Sequence, residues 1–274
     1  MEHKILIYDD NCPLCSWYSG QFVKYGFLKK ENRKAFSSLE NVYLTRIDFD
    51  KSRNEIPLLD IKTSKVLYGI DALLEILNQK IPFVKSIGNF RPVKWTLRKI
   101  YKLVSYNRKV IVAKKCGSGS IDCAPDLNYF YRLLFMTMSL IFNSLLLTPL
   151  HYNFFSHLTY YHLSLTEMQL AHFLFVAANL CLAMMLHKYK AIEFLGQVNM
   201  LALSVILLLI PVMCLNFFIN IEWLNTLILV TCSAFIIKEY VRRMNFAGII
   251  PKNKWIVGAN LLCLTVFLLF LFHQ

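Results

Sequence analysis

The sequence predicts an α/β domain at the N-terminus, followed by an all-α bundle of about five transmembrane helices. Before about residue 84, apolar runs of strand length alternate with segments of helical periodicity. After about residue 133, apolar residues dominate in stretches long enough to cross a bilayer. A strongly basic segment lies between the two parts. We therefore expect three regions, residues 1–84, 85–126 and 127–274.

The first strand and the first helix flank a Cys-x-x-Cys motif. An apolar run, residues 5–8, precedes Cys12 and Cys15, and aromatic residues recur at helical spacing after them. The cysteines thus lie where a strand passes into a helix, with Asn11 or Cys12 as the cap and Pro13 in the first turn. Unpaired N–H groups and the helix dipole stabilise a thiolate there, so we expect Cys12 to be the attacking sulfur.

The other residues around the motif suggest how exchange would be completed. Cys15 lies one helical turn after Cys12, so it would resolve a mixed disulfide, and Asp9 would accept or return the proton of Cys15. Two other interpretations stay open, half of a zinc site or two buried small hydrophobic residues. The strand, the helix and the proline between the cysteines match a thioredoxin-like layout, which favours redox chemistry.

This segment resembles the DCC family of predicted thiol-disulfide oxidoreductases, through the motif Tyr8-Asp9-x-x-Cys12-x-x-Cys15. Two further segments also resemble that family: the turn Gly69-Ile70-Asp71-Ala72, and Tyr101 with Asn107-Arg108 in a basic helix. The resemblance covers about residues 4–110. It implies a thioredoxin-like fold and thiol–disulfide exchange, and it leaves the substrate undefined.

The remaining elements of the domain follow from periodicity. The second strand is residues 34–39 with a short helix after it, which we favour, or residues 42–49, which alternate better. Residues 56–61 and 66–69 predict an antiparallel hairpin, and residues 71–77 a helix. The resulting order is thioredoxin-like, at about the size of a glutaredoxin.

Pro57 begins the predicted third strand, where thioredoxin-like folds carry a cis-proline facing the cysteines. Proline is tolerated at the first residue of a strand in any case, and most X-Pro bonds are trans. We nevertheless expect a cis peptide here because of its place in the fold. It would present the Ile56 backbone to a disulfide substrate and keep metal away from the thiols.

Charge is concentrated in the first part of the chain. Residues 1–115 contain 22 Lys and Arg against 11 Asp and Glu, and residues 85–115 contain ten basic and no acidic residues. After Pro92 the apolar residues share one helical face, which suits an amphipathic helix on anionic lipid. Alternatively, the helix packs on its own domain with a solvated basic face. No recognition motif supports nucleic acid as a partner. The apolar face comprises Val93, Leu97, Ile100, Tyr101 and Val104.

A glycine-containing loop just before the first apolar span carries Cys116 and Cys123. The two thiols are interpreted in three ways. They form a second redox pair that exchanges with Cys12 and Cys15, they complete a zinc site with those residues, or they are unrelated. The loop spacing leaves all three open.

Five apolar spans follow, at about residues 133–150, 168–187, 195–215, 222–240 and 255–272. Basic residues fall in alternate connections, so the positive-inside rule places the N-terminal domain in the cytoplasm and the C-terminus outside. Only four apolar residues follow Lys4, too few for the core of a signal peptide. We therefore expect an integral protein of a bacterial cytoplasmic membrane.

Polar residues within the spans allow two interpretations. His151, His157, His162 and His172 gather toward the outer face, as a haem or quinone site or simply as interfacial residues. Asn179, Asn199 and Gln197 are expected to bond between helices. The single cysteines of the spans are expected to be small buried hydrophobic residues. We predict neither a cofactor nor a metal ion.

These observations predict a membrane-anchored thiol–disulfide oxidoreductase that reduces protein or small-molecule disulfides from the cytoplasmic side. Its catalytic residues would be Cys12, Cys15, Asp9 and Pro57. Its partners would be a disulfide substrate and anionic lipid, with no nucleic acid. The alternatives are a transport or assembly module whose thioredoxin-like domain only binds, and a zinc-binding module.

Overall fold

The computed structural model of the protein describes residues 2–114, 125–219 and 221–272. The chain divides into two compact units, Met1–Arg132 and Leu133–Gln274. The first is built around a small sheet and the second consists of helices. The prediction of an α/β thioredoxin-like domain followed by an all-α helical region is confirmed.

The first unit is built on a four-stranded mixed sheet in the order β2-β1-β3-β4. β1 pairs parallel with β2 and antiparallel with β3, and β3 and β4 form the predicted antiparallel hairpin. The strands are β1 (Lys4–Tyr8), β2 (Arg33–Ala35), β3 (Pro57–Asp60) and β4 (Val66–Tyr68). The helices are α1 (Pro13–Lys24), α2 (Asn41–Leu44), α3 (Phe49–Asn54), α4 (Ile70–Leu77), α5 (Pro82–Asn89) and α6 (Arg91–Val112).

Residues 5–8 of β1 form an unbroken apolar run because both faces of the strand are covered. Ile5 and Ile7 pack in one buried cluster with Phe36, while Leu6 packs in a second cluster with Leu58. Successive side chains of a strand point to opposite faces, so a central strand buried on both sides loses the apolar–polar alternation. This arrangement fixes the end of β1, at Tyr8, just ahead of the cysteines.

The favoured second strand, residues 34–39, is right in position but extends too far at its C-terminal end. β2 covers residues 33–35, a short 3-10 turn covers Phe36–Ser38, and α2 follows. The alternative strand at residues 42–49 is wrong, since α2 and the start of α3 lie there. The apolar residues of this segment alternate because Tyr43, Leu44 and Ile47 pack against the buried cluster that includes Ile5 and Ile7.

The basic helix α6 packs on its own domain, as one of the two interpretations predicted. Ser105 and Arg108 are buried, and the Tyr101 hydroxyl accepts a hydrogen bond from the Ile56 N–H at 2.9 Å. Ile100 and Val104 stay exposed, so the predicted apolar face is only partly covered. The C-terminal half of α6 therefore belongs to the interior of this unit.

The second unit contains five helices in the part of the chain that the structure describes. Four are long and apolar enough to span a membrane, and the apolar helix at the C-terminal end is shorter. All five predicted spans fall on these helices. They are α7 (Tyr129–Asn153, which enters this unit at Leu133), α8 (Leu165–Met184), α9 (Lys188–Asn216), α10 (Glu222–Phe246) and α11 (Lys254–Phe272).

Hydrogen bonds between these helices confirm the expected roles of the polar residues. Asn260 donates to Asn179 at 2.6 Å, joining α11 to α8. Asn199 donates to the Met136 carbonyl at 3.0 Å, joining α9 to α7, and Gln197 of α9 accepts from Arg243 of α10. In an apolar environment such pairs fix which faces of the helices meet.

Candidate functional site: a buried dithiol at the start of α1

Cys12 is the N-cap residue of α1. Its backbone is extended, with φ −106° and ψ 112°, and its sulfur accepts a hydrogen bond from the Cys15 N–H at 3.5 Å. Pro13 occupies the first turn, where its missing N–H leaves no bond unmade. The strand–cap–helix geometry expected from the sequence is therefore present, with the sulfur directed at the helix N-terminus.

Three reactive groups meet at this point. A carboxylate oxygen of Asp9 and the sulfurs of Cys12 and Cys15 all lie within 4.8 Å of one another. All three residues are buried, with 8%, 8% and 4% of their surface exposed, and both cysteines are free thiols. The Asp9 Oδ1 also accepts the Asn11 N–H at 3.0 Å, which fixes the carboxylate.

Arg108 of α6 completes the cluster, although it is 93 residues away from Cys15 in the sequence. One guanidinium nitrogen lies 3.6 Å from the Cys15 sulfur, and another donates to Asp9 Oδ2 at 3.1 Å and to the Arg53 carbonyl at 3.0 Å. Arg108 and Asp9 form a buried ion pair, in which each charge compensates the other. A fixed positive charge therefore lies beside the dithiol.

The two thiols differ in acidity. The Cys15 thiol donates a hydrogen bond to the Cys12 sulfur, and this bond, with help from the Arg108 charge and the Cys15 N–H, lowers the pKa of Cys12 to about 7 against the opposing effects of burial and Asp9. The same bond, together with burial, raises the pKa of Cys15 well above its ordinary value. Near neutral pH, Cys12 is thus the sulfur that carries the negative charge.

Residues 6–114 match the family model of DCC1-like thiol-disulfide oxidoreductases. No curated protein and no solved structure matches the chain. The family match confirms the resemblance inferred from the motif, supports a thiol–disulfide function, and includes every residue of the cluster from Asp9 to Arg108. Residues 6–114 are called the DCC1-like domain below.

Gly69 and Tyr101, which belong to the other segments of the family resemblance, meet at the start of β3. The Tyr101 hydroxyl accepts the Ile56 N–H, and the Gly69 N–H donates to the Ile56 carbonyl at 2.9 Å. Gly69 has φ +57°, and a Cβ there would lie 3.1 Å from the Tyr101 ring. Glycine is required at this position both by the backbone conformation and by the space that Tyr101 occupies.

The prediction of a cis peptide before Pro57 is wrong. No cis peptide bond occurs among the described residues, so the Ile56–Pro57 bond is trans, the ordinary state of X-Pro bonds. Both backbone polar groups of Ile56 are already bonded, the N–H to Tyr101 and the carbonyl to Gly69. In this structure the backbone before Pro57 supports the interior of the DCC1-like domain, rather than offering free groups to a substrate.

Asp9, Cys12 and Cys15 are also residue types that bind metal ions. Their ligand atoms are close enough to surround one ion. However, the Arg108 guanidinium is in contact with two of the three residues, and its positive charge would repel a divalent cation. The ligand set with Arg108 in place therefore fits thiolate chemistry better than zinc. Cys116 and Cys123, which would complete a zinc site or form a second redox pair, lie outside the described residues.

Sequence reasoning missed the role of Arg108. It was quoted as part of a family resemblance, but nothing distinguished its charge from the other nine basic residues of 85–115. In the structure Asn107 and Arg108 are both buried near the C-terminal end of α6, a property that the sequence pattern does not show. Asn107 donates to the Leu103 and Tyr131 carbonyls, which leaves Arg108 as the residue that enters the site.

Replacing Arg108 by Leu is expected to raise the pKa of Cys12 by about one unit or more, because an opposite charge nearby stabilises the thiolate. The rate of Cys12 alkylation is measured against pH by peptide-resolved mass spectrometry. Arg98→Leu is the control, since Arg98 is an exposed residue of the same helix that pairs with Asp71.

Arg108→Lys retains the positive charge, so the pKa of Cys12 is expected to stay close to its wild-type value. This variant also tests folding, because Arg108→Leu leaves Asp9 buried without its partner. Cys15 should remain slow to alkylate in every folded variant. An unchanged Cys12 profile in Arg108→Leu would show that the guanidinium does not tune the thiol.

Proposed function

We propose that the protein is a membrane-anchored thiol–disulfide oxidoreductase that reduces disulfides of proteins or small molecules. The observation that carries this proposal is the pairing of an acidic Cys12, capping α1, with a protonated Cys15 beside Arg108. Thiolates are the attacking species in exchange, and the rate is favourable when the pKa of the thiol is close to the ambient pH.

In the first step the Cys12 thiolate attacks one sulfur of the substrate disulfide. A bond forms between Cys12 and that sulfur, the substrate S–S bond breaks, and the other sulfur leaves as a thiolate. The hydrogen bond from Cys15 stabilises Cys12 before attack. It weakens when Cys12 loses its charge in the mixed disulfide, so the main cause of the raised Cys15 pKa disappears at that point.

In the second step Cys15 loses its proton and attacks the Cys12 sulfur. The products are a Cys12–Cys15 disulfide and a second substrate thiol, so the enzyme dithiol is oxidised as the substrate is reduced. Arg108 stabilises the developing Cys15 thiolate at 3.6 Å. An Asp9 oxygen lies within 4.8 Å of the Cys15 sulfur, a distance at which one water could carry the proton between them.

Single-turnover thiol counting tests this mechanism. The reduced full-length protein in detergent is mixed with a small disulfide, and its free thiols are identified by mass spectrometry. The wild type should end with a Cys12–Cys15 disulfide, Cys12→Ser should not react at this site, and Cys15→Ser should stop with the substrate attached to Cys12. Replacing Cys116 and Cys123 together by Ser is the control and should leave this reaction intact.

Two other outcomes would contradict the mechanism. If Cys12→Ser reduces the small disulfide as fast as the wild type, the DCC1-like domain does not turn over through this dithiol. If the purified protein holds about one zinc ion per chain that is lost in Cys12→Ser, the zinc-module alternative is favoured instead. The zinc content is measured on the same preparations.

The proposed orientation places the DCC1-like domain and the basic ends of the helices in the cytoplasm. Lys190, at the start of α9, donates to the Ala247 carbonyl just after α10, so these two basic ends lie on the same side of the second unit. The connections 154–164 and 217–221 contain no Lys or Arg. This asymmetry supports the assignment by the positive-inside rule.

A periplasmic phosphatase reporter tests the orientation. Fused after Gln274 it should be active, and inserted in the short connection at residues 185–187 it should be silent. A cytoplasmic reporter at the same two positions should give the complementary pattern. The reverse result would place the dithiol in an oxidising compartment and change the net reaction from reduction to oxidation.

Anionic lipid is the proposed partner of the surface formed by α5. Phe83 and Ile87 of α5 and Phe90, the residue that follows it, are 63%, 56% and 63% exposed, at positions i, i+4 and i+7. The DCC1-like domain that carries them is strongly basic. Large apolar side chains on a basic surface suit the boundary between headgroups and acyl chains of an anionic bilayer.

Hydrogen exchange of the full-length protein in nanodiscs tests this contact. The peptide covering α5 should exchange more slowly in discs with anionic lipid than in discs of neutral lipid. The peptide covering α2 is the control, because it also exposes an apolar side chain, Val42. Equal protection of α5 in both kinds of disc would exclude a specific role of anionic lipid.

A further inference from the structure

A cavity of about 350 Å³ lies within the second unit and is lined by residues of all five helices. Protein interiors are close-packed, with few voids much larger than a water molecule. The volume of this cavity falls instead in the range of small-molecule sites. Its walls are mostly aliphatic and aromatic side chains, so any occupant would need an apolar body.

The cavity lies between two well-packed regions of the unit. One buried cluster includes Leu150, Met168 and Leu209, and the other includes Phe194, Leu201 and Met244. Residues of both clusters contribute to the walls. The packing is thus tight toward each end of the helices, and the cavity lies between the two clusters.

Four residues of the lining have a buried polar atom with no hydrogen-bond partner among the described residues. These atoms are Asn143 Oδ1, His172 Nε2, Asn199 Oδ1 and the Tyr240 hydroxyl. Asn143 and Tyr240 are each only 2% exposed. Unpaired polar atoms in an apolar environment are costly, and they are a mark of functional sites within membranes.

The four groups lie on four different helices and at two levels. Asn216, at the end of α9, donates to the Asn153 carbonyl at the end of α7, so these helices run in the same direction. The bonds from Asn260 to Asn179 and from Arg243 to Gln197 show that α8 and α10 run the opposite way to their neighbours.

Positions along these helices then place the unpaired atoms. Asn143 and His172 lie in the half of the unit where α7 ends and α8 begins. Asn199 and Tyr240 lie in the half where α9 begins and α10 ends. The cavity therefore offers hydrogen-bonding groups toward both of its ends, with apolar walls around them.

We propose that this cavity binds a quinone headgroup, a ring compound with an oxygen at each end of an apolar body. Its carbonyl oxygens would accept from the Tyr240 hydroxyl and the His172 ring, and in the reduced form its hydroxyls would donate to the Asn143 and Asn199 oxygens. An acyl chain would leave all four polar groups unpaired. The proposal concerns binding alone, and it holds whether or not the dithiol of the DCC1-like domain turns over.

Equilibrium binding to the full-length protein in detergent tests the proposal. The probes are menadione, a naphthoquinone, and methylnaphthalene, which has the same ring skeleton without the two oxygens. Menadione should bind at least about tenfold more tightly, because two or more hydrogen bonds are made only with its oxygens. Tyr240→Phe should weaken menadione binding about fivefold to tenfold, by loss of one such bond.

Matched variants separate loss of binding from loss of fold. Tyr160→Phe is the control, since Tyr160 is 66% exposed and is not part of the cavity wall. Without ligand, Tyr240→Phe should melt at or above the wild-type temperature, because it removes an unpaired buried hydroxyl. His172→Phe is the second variant and should also weaken menadione binding.

Three results would overturn the proposal. Equal affinity for menadione and methylnaphthalene would mean an apolar void without a polar site. Failure of both compounds to bind would mean that lipid or water fills the cavity. Wild-type affinity for menadione in folded Tyr240→Phe and His172→Phe would mean that the quinone binds elsewhere.

Discussion

The buried ion pair between Asp9 and Arg108 is the interaction on which the site depends. It joins the residue after β1 to the C-terminal part of α6, and it brings a guanidinium to the Cys15 sulfur. Neither charge would be tolerated alone at this depth, since an unpaired buried ion costs several kcal/mol. The sheet, the helix cap and α6 must therefore all be in place before the dithiol acquires its electrostatic environment.

Local patterns were enough to predict most of the fold. The strand–cap–helix segment at Cys12, the hairpin after Pro57 and the helix after Gly69 were predicted because each depends on neighbouring residues. The limits of β2 were less certain, because the alternating apolar residues at 42–49 arise from tertiary packing of a short helix. The second unit was predicted from apolar runs of helix length, since a helix that can span a membrane is recognised by its length and composition rather than by particular contacts.

The site could be predicted only in part, for the same reason. Cys12, Cys15 and Asp9 are close in sequence, so their proximity followed from the motif. Arg108 could not be selected, because its contact with Cys15 spans 93 residues and its charge is common in its segment. The peptide before Pro57 was predicted wrongly because the expectation followed the layout of thioredoxin-like folds, whereas the bond has the trans state ordinary for X-Pro.

The position of Arg108 near the end of the DCC1-like domain also has a consequence for synthesis. A ribosome produces Cys12 and Cys15 about a hundred residues before the whole of α6 has emerged, at roughly 5–20 residues per second. During that interval the two thiols lack the Arg108 charge, which acts together with the hydrogen bond from Cys15 to lower the pKa of Cys12. The lowered pKa of Cys12 is therefore complete only after the last helix of the domain has folded onto the first strand.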